Sequence, residues 1–169
     1  GYAMTCVDWC DAAAYCTWAG KHLCGRKGGG TVPLADVDDP TASEWYAACS
    51  ADGALAFPYG DTFEDTSCNT FGNASDVVGT GWFPDCEGGF PGLLDMLGNA
   101  EEWEDACEIT ADSAGDNCFL RGGAFWADAS TPDRDYATCV AAPDRRPDRS
   151  AEGRRGASAA AAPRPPRAR

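Results

Sequence analysis

Ten cysteines are spread along this chain of 169 residues, and no two of them are spaced as C-x-x-C. His22 is the only histidine, so a zinc cluster built from cysteine and histidine is a poor interpretation. Scattered cysteines in an acidic, glycine-rich chain are typical of disulfides formed in an oxidising compartment. We therefore expect an extracytoplasmic protein, located in a periplasm, at a cell surface or outside the cell.

Two pairs of cysteines are close enough in sequence to close local loops. These are Cys49 with Cys68 and Cys107 with Cys118. Spacing does not determine disulfide connectivity, so both pairings are hypotheses. The sequence shows neither a signal peptide nor a membrane span. We expect Gly1 to follow an upstream segment that is missing here.

The charge of the chain is strongly uneven. Residues 1–139 contain 24 acidic and five basic residues, a net charge of −19, whereas the last thirty residues carry +5. So acidic a body repels nucleic acids and anionic membrane surfaces, and it favours cations or basic partners. We therefore expect no nucleic-acid binding and no membrane insertion.

The decapeptide G-N-A-E-E-W-E-D-A-C, residues 98–107, is unusually dense in polar side chains. Asn99 and Glu102 are oxygen donors three residues apart, beside the backbone carbonyls of Gly98 and Ala100. Ca²⁺ prefers such a mixture of carboxylate, amide and backbone oxygen. The alternative is a solvated acidic turn with one buried tryptophan, because no full EF-hand loop pattern is present.

Two segments predict helices. Residues 8–19 combine an Asp8 N-cap with helix-favouring alanines, and Gly20 can end that helix. Thr41 and Glu44 form a capping-box pair that predicts a second, short helix to about Cys49.

Strand signals are brief and mostly late in the chain. Residues 119–126 predict a strand broken by two glycines, and residues 136–141 predict a last short strand. Residues 54–90 alternate aromatic residues with Gly, Asp, Asn and Pro, which predicts loops. Residues 143–169 have too few apolar residues to offset ordering entropy, so we predict a domain over 1–142 and a disordered Ala/Pro/Arg-rich tail.

Four motifs resemble one family, in order along residues 5–125. They are T-C-V-D-W-C-D-A-A-A-Y-C-T-W-A-G-K-H-L, A-S-E-W-Y-A-A, G-N-A-E-E-W and R-G-G-A-F. Together they resemble the sulfatase-modifying-factor domain, the family of the formylglycine-generating enzyme. The resemblance implies an α+β, C-type-lectin-like fold with little regular structure, many loops and bound calcium.

The resemblance also implies two calcium sites. The first matches at Gly98, Asn99, Ala100 and Glu102, with Glu101 where the family usually has an aromatic residue. The second site resembles the family's second calcium site. Its matching residues are Asn69, Thr70 and Asp76, with Val78 as a carbonyl donor.

The family's catalytic cysteines do not carry over to this chain. The resemblance places them just after the R-G-G motif, five residues apart, where they bind copper and convert a substrate cysteine to formylglycine. Here those positions hold Ala127 and Pro132. Without thiolates there is no soft ligand set for Cu(I), so we expect no catalytic residue and no copper. Cys139 is similar to a later, non-catalytic family cysteine.

The tail departs from the family ending, which is usually a strand such as G-F-R-C-C. Read one nucleotide later, GC-rich codons for that ending encode Ala-Ser-Ala-Ala, as at residues 157–160. One hypothesis is therefore a frameshifted ending, and the alternative is a genuine basic tail.

These observations favour a non-catalytic recognition domain for a protein, peptide or glycan, stiffened by calcium. Its candidate surface residues are Arg121, Trp126 and Asp128, near the expected substrate groove, and the alternative role for them is ordinary packing. The second hypothesis is an active copper-dependent formylglycine-generating oxidase acting on sulfatases. His22 alone cannot build an iron facial triad. A third possibility is a degraded fragment without a function of its own.

Overall fold

The computed structural model describes residues 1–108, 116–127, 137–140, 145–147 and 157–158. Its helices are α1, Trp9–Trp18, and α2, Glu44–Ser50, with a 3-10 turn at Leu34–Asp36 between them. Its strands are β1, Glu101–Glu108, β2, Asn117–Arg121, β3, Arg145–Pro147, and β4, Ala157–Ser158. The predicted α+β, loop-rich character is confirmed.

Helix α1 follows the local sequence signals closely. The Asp8 side chain accepts a hydrogen bond from the backbone N–H of Asp11, with 2.7 Å between the two atoms, as an N-cap does. Ala12 and Cys16 are the buried residues of the helix. After Trp18 the chain turns through Gly20, whose φ is +71°. The predicted helix over 8–19 is therefore confirmed to within one residue at each end.

Helix α2 is present as predicted, but it begins two residues later than the capping box implies and has a different cap. The N-cap is Ser43, whose Oγ accepts from the backbone N–H of Tyr46 at 3.0 Å. Thr41 instead donates its hydroxyl to Asp39 at 2.7 Å. The predicted Thr41–Glu44 capping box is wrong because Thr41 lies in the preceding turn, stabilised by the Asp39 side chain.

The four strands form one sheet in the order β3-β2-β1-β4. β1 and β2 are antiparallel, with Glu102 opposite Arg121 and Cys107 opposite Cys118, and the register shifts between Trp103 and Cys107. β4 pairs with β1 in parallel, and β3 pairs with β2 antiparallel. β1 was not predicted, since its acidic sequence was interpreted as a cation loop.

Two other strand predictions differ from the structure. β2 ends at Arg121 rather than continuing to 126, because Gly122 and Gly123 have φ of +78° and +69° and turn the chain. Residues 137–140 form a bend, and 136 and 141 lie outside the described residues. The described parts of the predicted disordered tail are strands β3 and β4, and the rest of that tail lies outside the described residues.

Three disulfides cross-link the chain: Cys49–Cys139, Cys68–Cys86 and Cys107–Cys118. The predicted Cys107–Cys118 pair is confirmed, and it joins β1 to β2. The predicted Cys49–Cys68 pair is wrong, because the fold brings Cys49 on α2 to Cys139 and Cys68 to Cys86. The other four cysteines carry thiols and all lie within residues 6–24.

The core consists of several small clusters, in keeping with the scarcity of regular structure. α1 packs against the sheet through Trp103 and Leu120. Trp103 is 4% exposed and donates its indole N–H to the Val7 carbonyl at 3.1 Å. A further cluster surrounds the Cys68–Cys86 disulfide and includes Leu97 and Ala127. No helix within the described ranges is long and apolar enough to cross a membrane.

Candidate functional site

The loop that leads into β1 is held against the loop around Asn69. Asp95, Gly98 and Asn99 all have left-handed backbone, with φ of +61°, +71° and +60°, a conformation that is uncommon outside glycine. A side chain at Gly98 would overlap the Asn69 carbonyl oxygen. That oxygen accepts the backbone N–H of Asn99 at 2.7 Å. Gly98 is thus required by close backbone approach as well as by its φ.

The side chain of Asn99 joins the two loops that were predicted to bind calcium. Its Oδ1 accepts from the backbone N–H of Val78 at 2.8 Å and from Asn69 Nδ2 at 3.1 Å. Its Nδ2 donates to the Val78 carbonyl at 3.2 Å. Because this oxygen already serves two N–H donors, the structure argues against the predicted role of the Asn99 side chain as a cation ligand.

A carboxylate pair lies at the two ends of the same loop. Glu102 Oε2 accepts the indole N–H of Trp45 at 2.6 Å, and Asp95 Oδ2 accepts the backbone N–H of Gly81 at 2.8 Å. Burial, with a smaller contribution from the negative charge of Asp95, raises the pKa of Glu102 to about 7, although the hydrogen bond from Trp45 lowers it. Burial also raises the pKa of Asp95. Two neighbouring carboxylates that are partly withdrawn from water are a favourable place for a cation.

The second predicted segment contains a buried oxygen without a hydrogen-bond donor. Asn69 is 1% exposed, and its Nδ2 donates to the Asp76 carbonyl and to Asn99 Oδ1, each at 3.1 Å. Within the described part of the chain, its Oδ1 receives no hydrogen bond, which is rare for a buried polar atom. Thr70 is also buried, whereas Asp76 is exposed and its Oδ1 accepts the backbone N–H of Val77 at 2.8 Å.

The donor chemistry of both segments fits calcium. Asp95 and Glu102 supply carboxylates on either side of the Gly98 and Ala100 carbonyls, and Asn69 supplies an amide oxygen that lacks a donor. Ca²⁺ takes six to eight such hard oxygens. No cluster of three or more His, Cys, Asp or Glu side chains occurs in the described ranges, so backbone oxygens would complete either site. Calcium binding stays a prediction.

Asp95 is the residue that the sequence-based prediction of the first site missed. It lies three residues before Gly98, in the same turn, and carries the charge that the amide of Asn99 lacks. The sequence D-M-L-G-N contained the signal, because a carboxylate so close to a candidate calcium loop belongs to the same oxygen donor set.

An open groove lies beside these loops. Its volume is about 380 Å³, and its walls are the segment 71–75 on one side and Phe125 with Trp126 on the other. The backbone N–H of Phe71 donates to the Ala127 carbonyl at 2.9 Å, which ties the two walls together. Asn73 Nδ2 donates to the carbonyl of Cys68 at 2.8 Å and also to that of Asp65. The groove is therefore preformed, with the Cys68–Cys86 disulfide in the core beside it.

The three predicted surface residues have different positions. Trp126 lines the groove, and its role in binding stays a prediction. Asp128 lies outside the described residues. Arg121 is 2% exposed and therefore does not belong to a surface that could bind a partner. That part of the prediction is wrong.

Arg121 instead stabilises the core. Its guanidinium lies 4.5 Å from the ring centre of Trp45, and its Nε lies 3.5 Å from the buried carboxylate of Glu104. Its Nη2 donates to the carbonyls of Val37 at 3.3 Å and Cys139 at 3.1 Å. Arginine suits such a position because its fork of donors serves several acceptors at once.

The first catalytic position implied by the resemblance is a buried methyl group. Ala127 is 1% exposed and packs with Cys68, Cys86 and Leu97. Pro132, at the other position, lies outside the described residues. Ala127 does not line the groove, and its carbonyl accepts the backbone N–H of the wall residue Phe71.

Comparison with known proteins decides the family. A sequence model described as the sulfatase-modifying factor enzyme 1-like domain matches residues 3–156. The chain belongs to this family. The resemblance carried by the four motifs is thereby confirmed.

Curated relatives include both inactive and active members. The mouse protein named inactive C-alpha-formylglycine-generating enzyme 2 is 29% identical over 136 residues, covering 73% of this chain and 37% of the relative. Its bovine counterpart is 31% identical over 136 residues, which cover 73% of this chain and 38% of the relative. Bovine formylglycine-generating enzyme is 28% identical over 175 residues, with 86% and 40% covered. This member of the sulfatase-modifying factor family thus spans about two fifths of the length of these relatives.

Proposed function

We propose that this sulfatase-modifying factor domain is a non-catalytic recognition module for a protein, peptide or glycan. One observation carries the proposal: among the residues that the structure describes, no cysteine lines the preformed groove, and Ala127, next to its wall residue Trp126, holds the first position where the resemblance places a catalytic thiol. A groove that keeps its aromatic walls and lacks its nucleophile can bind but cannot exchange a sulfur with a substrate cysteine.

The positions of the remaining thiols support the same proposal. Cys6, Cys10, Cys16 and Cys24 belong to the α1 end of the chain. Cys16 packs with Trp103 and Leu120 rather than with the residues around the groove. No thiol of the described chain therefore lines the groove.

Calcium is part of the proposal as a structural ion. When bound, it would neutralise the Asp95–Glu102 pair and give Asn69 Oδ1 a partner, holding the loops that support the groove. The groove next to calcium loops, with few regular elements around it, is also what supports a C-type-lectin-like fold.

An extracytoplasmic location is supported by the three disulfides. Disulfides persist in oxidising compartments and are rare where thiols are kept reduced. The strongly acidic body supports a cationic or neutral partner rather than nucleic acid.

The alternative is an active formylglycine-generating oxidase, which the similarity to bovine formylglycine-generating enzyme favours. Such an enzyme would need another cysteine pair near the groove. Cys68 and Cys86 are the nearest described candidates, but they are 1% and 0% exposed and already form a disulfide. Neither sulfur is accessible to a substrate peptide or to Cu(I).

An aldehyde-trapping assay tests the two functions. Purified protein, with Ca²⁺ and Cu(I), is mixed with a peptide carrying the sulfatase-type C-x-P-x-R sequence, and an active formylglycine-generating enzyme is the positive control. We expect no aldehyde by mass spectrometry from a folded sample. Conversion of the peptide would overturn the proposal, and its loss in a Cys68→Ser/Cys86→Ser variant would identify that pair as catalytic.

Binding is tested separately with glycan and peptide arrays. Trp126→Ala should abolish binding of any hit, because it removes one wall of the groove. Trp82→Ala is the matched control, since Trp82 is 71% exposed and lies outside the groove. Equal loss in both variants, or in neither, would contradict recognition at the groove.

A further inference from the structure

The three disulfides leave out the first part of the chain, which contains four of the ten cysteines. Cys6, Cys10 and Cys24 are exposed, whereas Cys16 on α1 is only 5% exposed. Accessible thiols rarely persist in an oxidising compartment. The positions of these four cysteines in the fold show which two of them are suited to pair.

The chain reverses direction directly after Cys16 and returns with Cys24. Gly20, with a φ of +71°, turns the backbone at the end of α1. The N–H of Lys21 then donates to the Cys16 carbonyl at 2.8 Å. Leu23, the residue before Cys24, packs in the same core cluster as Cys16. The turn therefore folds the second cysteine back onto the end of the helix that carries the first.

Both cysteines lie over the same stretch of β1. Cys16 packs in one cluster with Trp103, and the Cys24 carbonyl accepts the N–H of Asp105 at 2.8 Å. Two residues along a strand span about 7 Å, so the two contacts with β1 are adjacent. The negative charge of Cys16 is also among the causes that raise the pKa of Cys24. The two thiols are therefore neighbours in space.

The surroundings of the two thiols disfavour their ionised forms. Desolvation and, to a smaller extent, nearby carboxylates raise the pKa of Cys24 to about 12. These carboxylates are Glu102, Glu44 and Glu104. Burial also raises the pKa of Cys16. A protein keeps a cysteine pair reduced by stabilising its thiolates. Here both thiolates are destabilised, so the disulfide is the favoured state of the pair.

We propose that Cys16 and Cys24 are the site of a fourth disulfide, with a low-molecular-weight or protein disulfide as the oxidant. This inference goes beyond the proposed recognition function and does not depend on it. Cys24, the more exposed of the two, attacks one sulfur of the oxidant and expels a thiol. Cys16 then attacks the Cys24 sulfur of the mixed disulfide and releases the second thiol. Two electrons and two protons thereby pass from the cysteine pair to the oxidant.

The fourth disulfide fixes the end of α1 to a junction between two other elements. Gly25, next to Cys24, donates its N–H to the Glu44 side chain of α2 at 3.1 Å, and its carbonyl accepts the Glu44 N–H at 2.8 Å. Cys24 itself is hydrogen-bonded to β1 through Asp105. Because both thiols are poorly ionised in the folded chain, we expect the bond to form during folding rather than afterwards.

Refolding in a redox buffer tests the proposal on the full chain. The protein is reduced, unfolded and refolded with reduced and oxidised glutathione, and the remaining thiols are alkylated with N-ethylmaleimide under denaturing conditions. We expect Cys16 and Cys24 to escape alkylation. Alkylation of both, in a sample that has re-formed the other three disulfides, would overturn the proposal.

Tryptic mapping then identifies the bond, because trypsin cleaves after Lys21, between the two cysteines. In a non-reduced digest, we expect the peptide that ends at Lys21 to be linked to residues 22–26. The linked pair should weigh about 2 Da less than the two separate peptides, since two thiol hydrogens are lost. Fragmentation of the linked pair shows which cysteine is joined to Cys24. A bond from Cys24 to Cys6 or Cys10 would overturn the assignment.

Matched variants provide a second readout. Cys16→Ala should leave Cys24 as an alkylated thiol, whereas Cys10→Ala should keep the linked peptides. Cys24→Ala changes an exposed residue and serves if Cys16→Ala fails to fold: Cys16 should then be alkylated, and the Tm should be lower than that of Cys10→Ala. A linked Cys24 peptide in Cys16→Ala, or an alkylated Cys24 in Cys10→Ala, would contradict the proposed pair.

Discussion

Trp45 on α2 donates its indole N–H to Glu102 on β1, with 2.6 Å between Nε1 and Oε2. The same ring lies 4.5 Å from the guanidinium of Arg121 on β2. One indole therefore connects a candidate calcium ligand with the arginine that neutralises Glu104 in the core. The stability of the sheet and cation binding at the loop before β1 should consequently depend on each other.

Calcium should stabilise the protein through the Asp95–Glu102 loop. At a free concentration one hundred times the Kd, we expect about 2.7 kcal/mol of added stability, visible as a higher Tm in calcium than in EDTA. In Asp95→Ala, the part of the Tm difference between calcium and EDTA that comes from the site at Asp95 and Glu102 should largely disappear. Asp85→Ala, which alters an exposed aspartate, should keep it. An unchanged calcium effect in Asp95→Ala would rule out Asp95 as a ligand.

Without calcium, stability should fall as the pH rises from about 4.5 to about 7. Burial is the main cause that raises the pKa of Glu102 and of Glu104 to about 7. Between these pH values the folded chain keeps protons that the unfolded chain has released, so lower pH favours folding, by up to about 3 kcal/mol for each group.

Glu102→Gln should remove about half of this pH dependence, since one of the two titrating carboxyl groups is lost. Urea titrations in EDTA at pH 5 and pH 7 measure it for both proteins. If the unfolding free energy changes by the same amount between pH 5 and pH 7 in wild type and in Glu102→Gln, Glu102 does not titrate in this range.

Arg121 should contribute strongly to folding. Arg121→Ala leaves the Glu104 carboxylate, which is 0% exposed, without its cation, and we expect a loss of about 3–5 kcal/mol of unfolding free energy. Arg121→Lys should recover only part of it, because lysine lacks the planar fork. Lys27→Ala is the control: its partner Asp52 is exposed, so the loss should stay below about 1 kcal/mol. Similar losses for Arg121→Ala and Lys27→Ala, in urea or thermal unfolding, would refute the structural role.

The stabilising effects of two disulfides should differ in size. Cys49 and Cys139 are 90 residues apart and Cys107 and Cys118 are 11 apart. In the chain-entropy account, removing the first pair as Cys49→Ala/Cys139→Ala destabilises by about 4–5 kcal/mol, and removing the other by about 3 kcal/mol. Equilibrium unfolding under non-reducing conditions compares them. The reverse order would indicate that packing, rather than unfolded-state entropy, dominates.

Gly98→Ala should be far more disruptive than Gly92→Ala. Both glycines have left-handed backbone, with φ of +71° and +89°, but a side chain at Gly92 meets open space. Gly92→Ala should therefore cost only about 1–2 kcal/mol of backbone strain. Gly98→Ala also separates the loop from the Asn69 carbonyl, and it should lower both Tm and calcium affinity. Equal effects of the two substitutions would show that the close approach at Gly98 is unimportant.

Local signals predicted the local features of this fold. The N-cap at Asp8 and the glycine after α1 were readable because their partners lie within a few residues. β1 was missed because its carboxylates suggested exposure, whereas Glu101 and Glu104 are buried. Only the partners on other elements, Ser43 and Arg121 for Glu104, make that burial possible.

In the candidate site, too, features that depend on neighbouring residues were predictable, and features that depend on distant partners were not. The predicted calcium segments do meet, but through Asn99, whose geometry depends on a loop twenty-one residues away in sequence. Arg121 was predicted at the surface because the resemblance places it near the family's substrate groove. In the structure, Arg121 contacts Trp45 of α2 and the carbonyls of Val37 and Cys139. These partners are distant in sequence, so no local pattern predicts them.

The Cys49–Cys139 disulfide closes the chain between these residues into a covalent ring. That ring contains both candidate calcium loops and both walls of the groove. A single backbone cleavage anywhere inside it leaves the fragments in one covalent molecule until the disulfides are reduced. A nicked protein would thus keep its mass on a non-reducing gel, and intactness on such a gel says nothing about the continuity of the loops that bind.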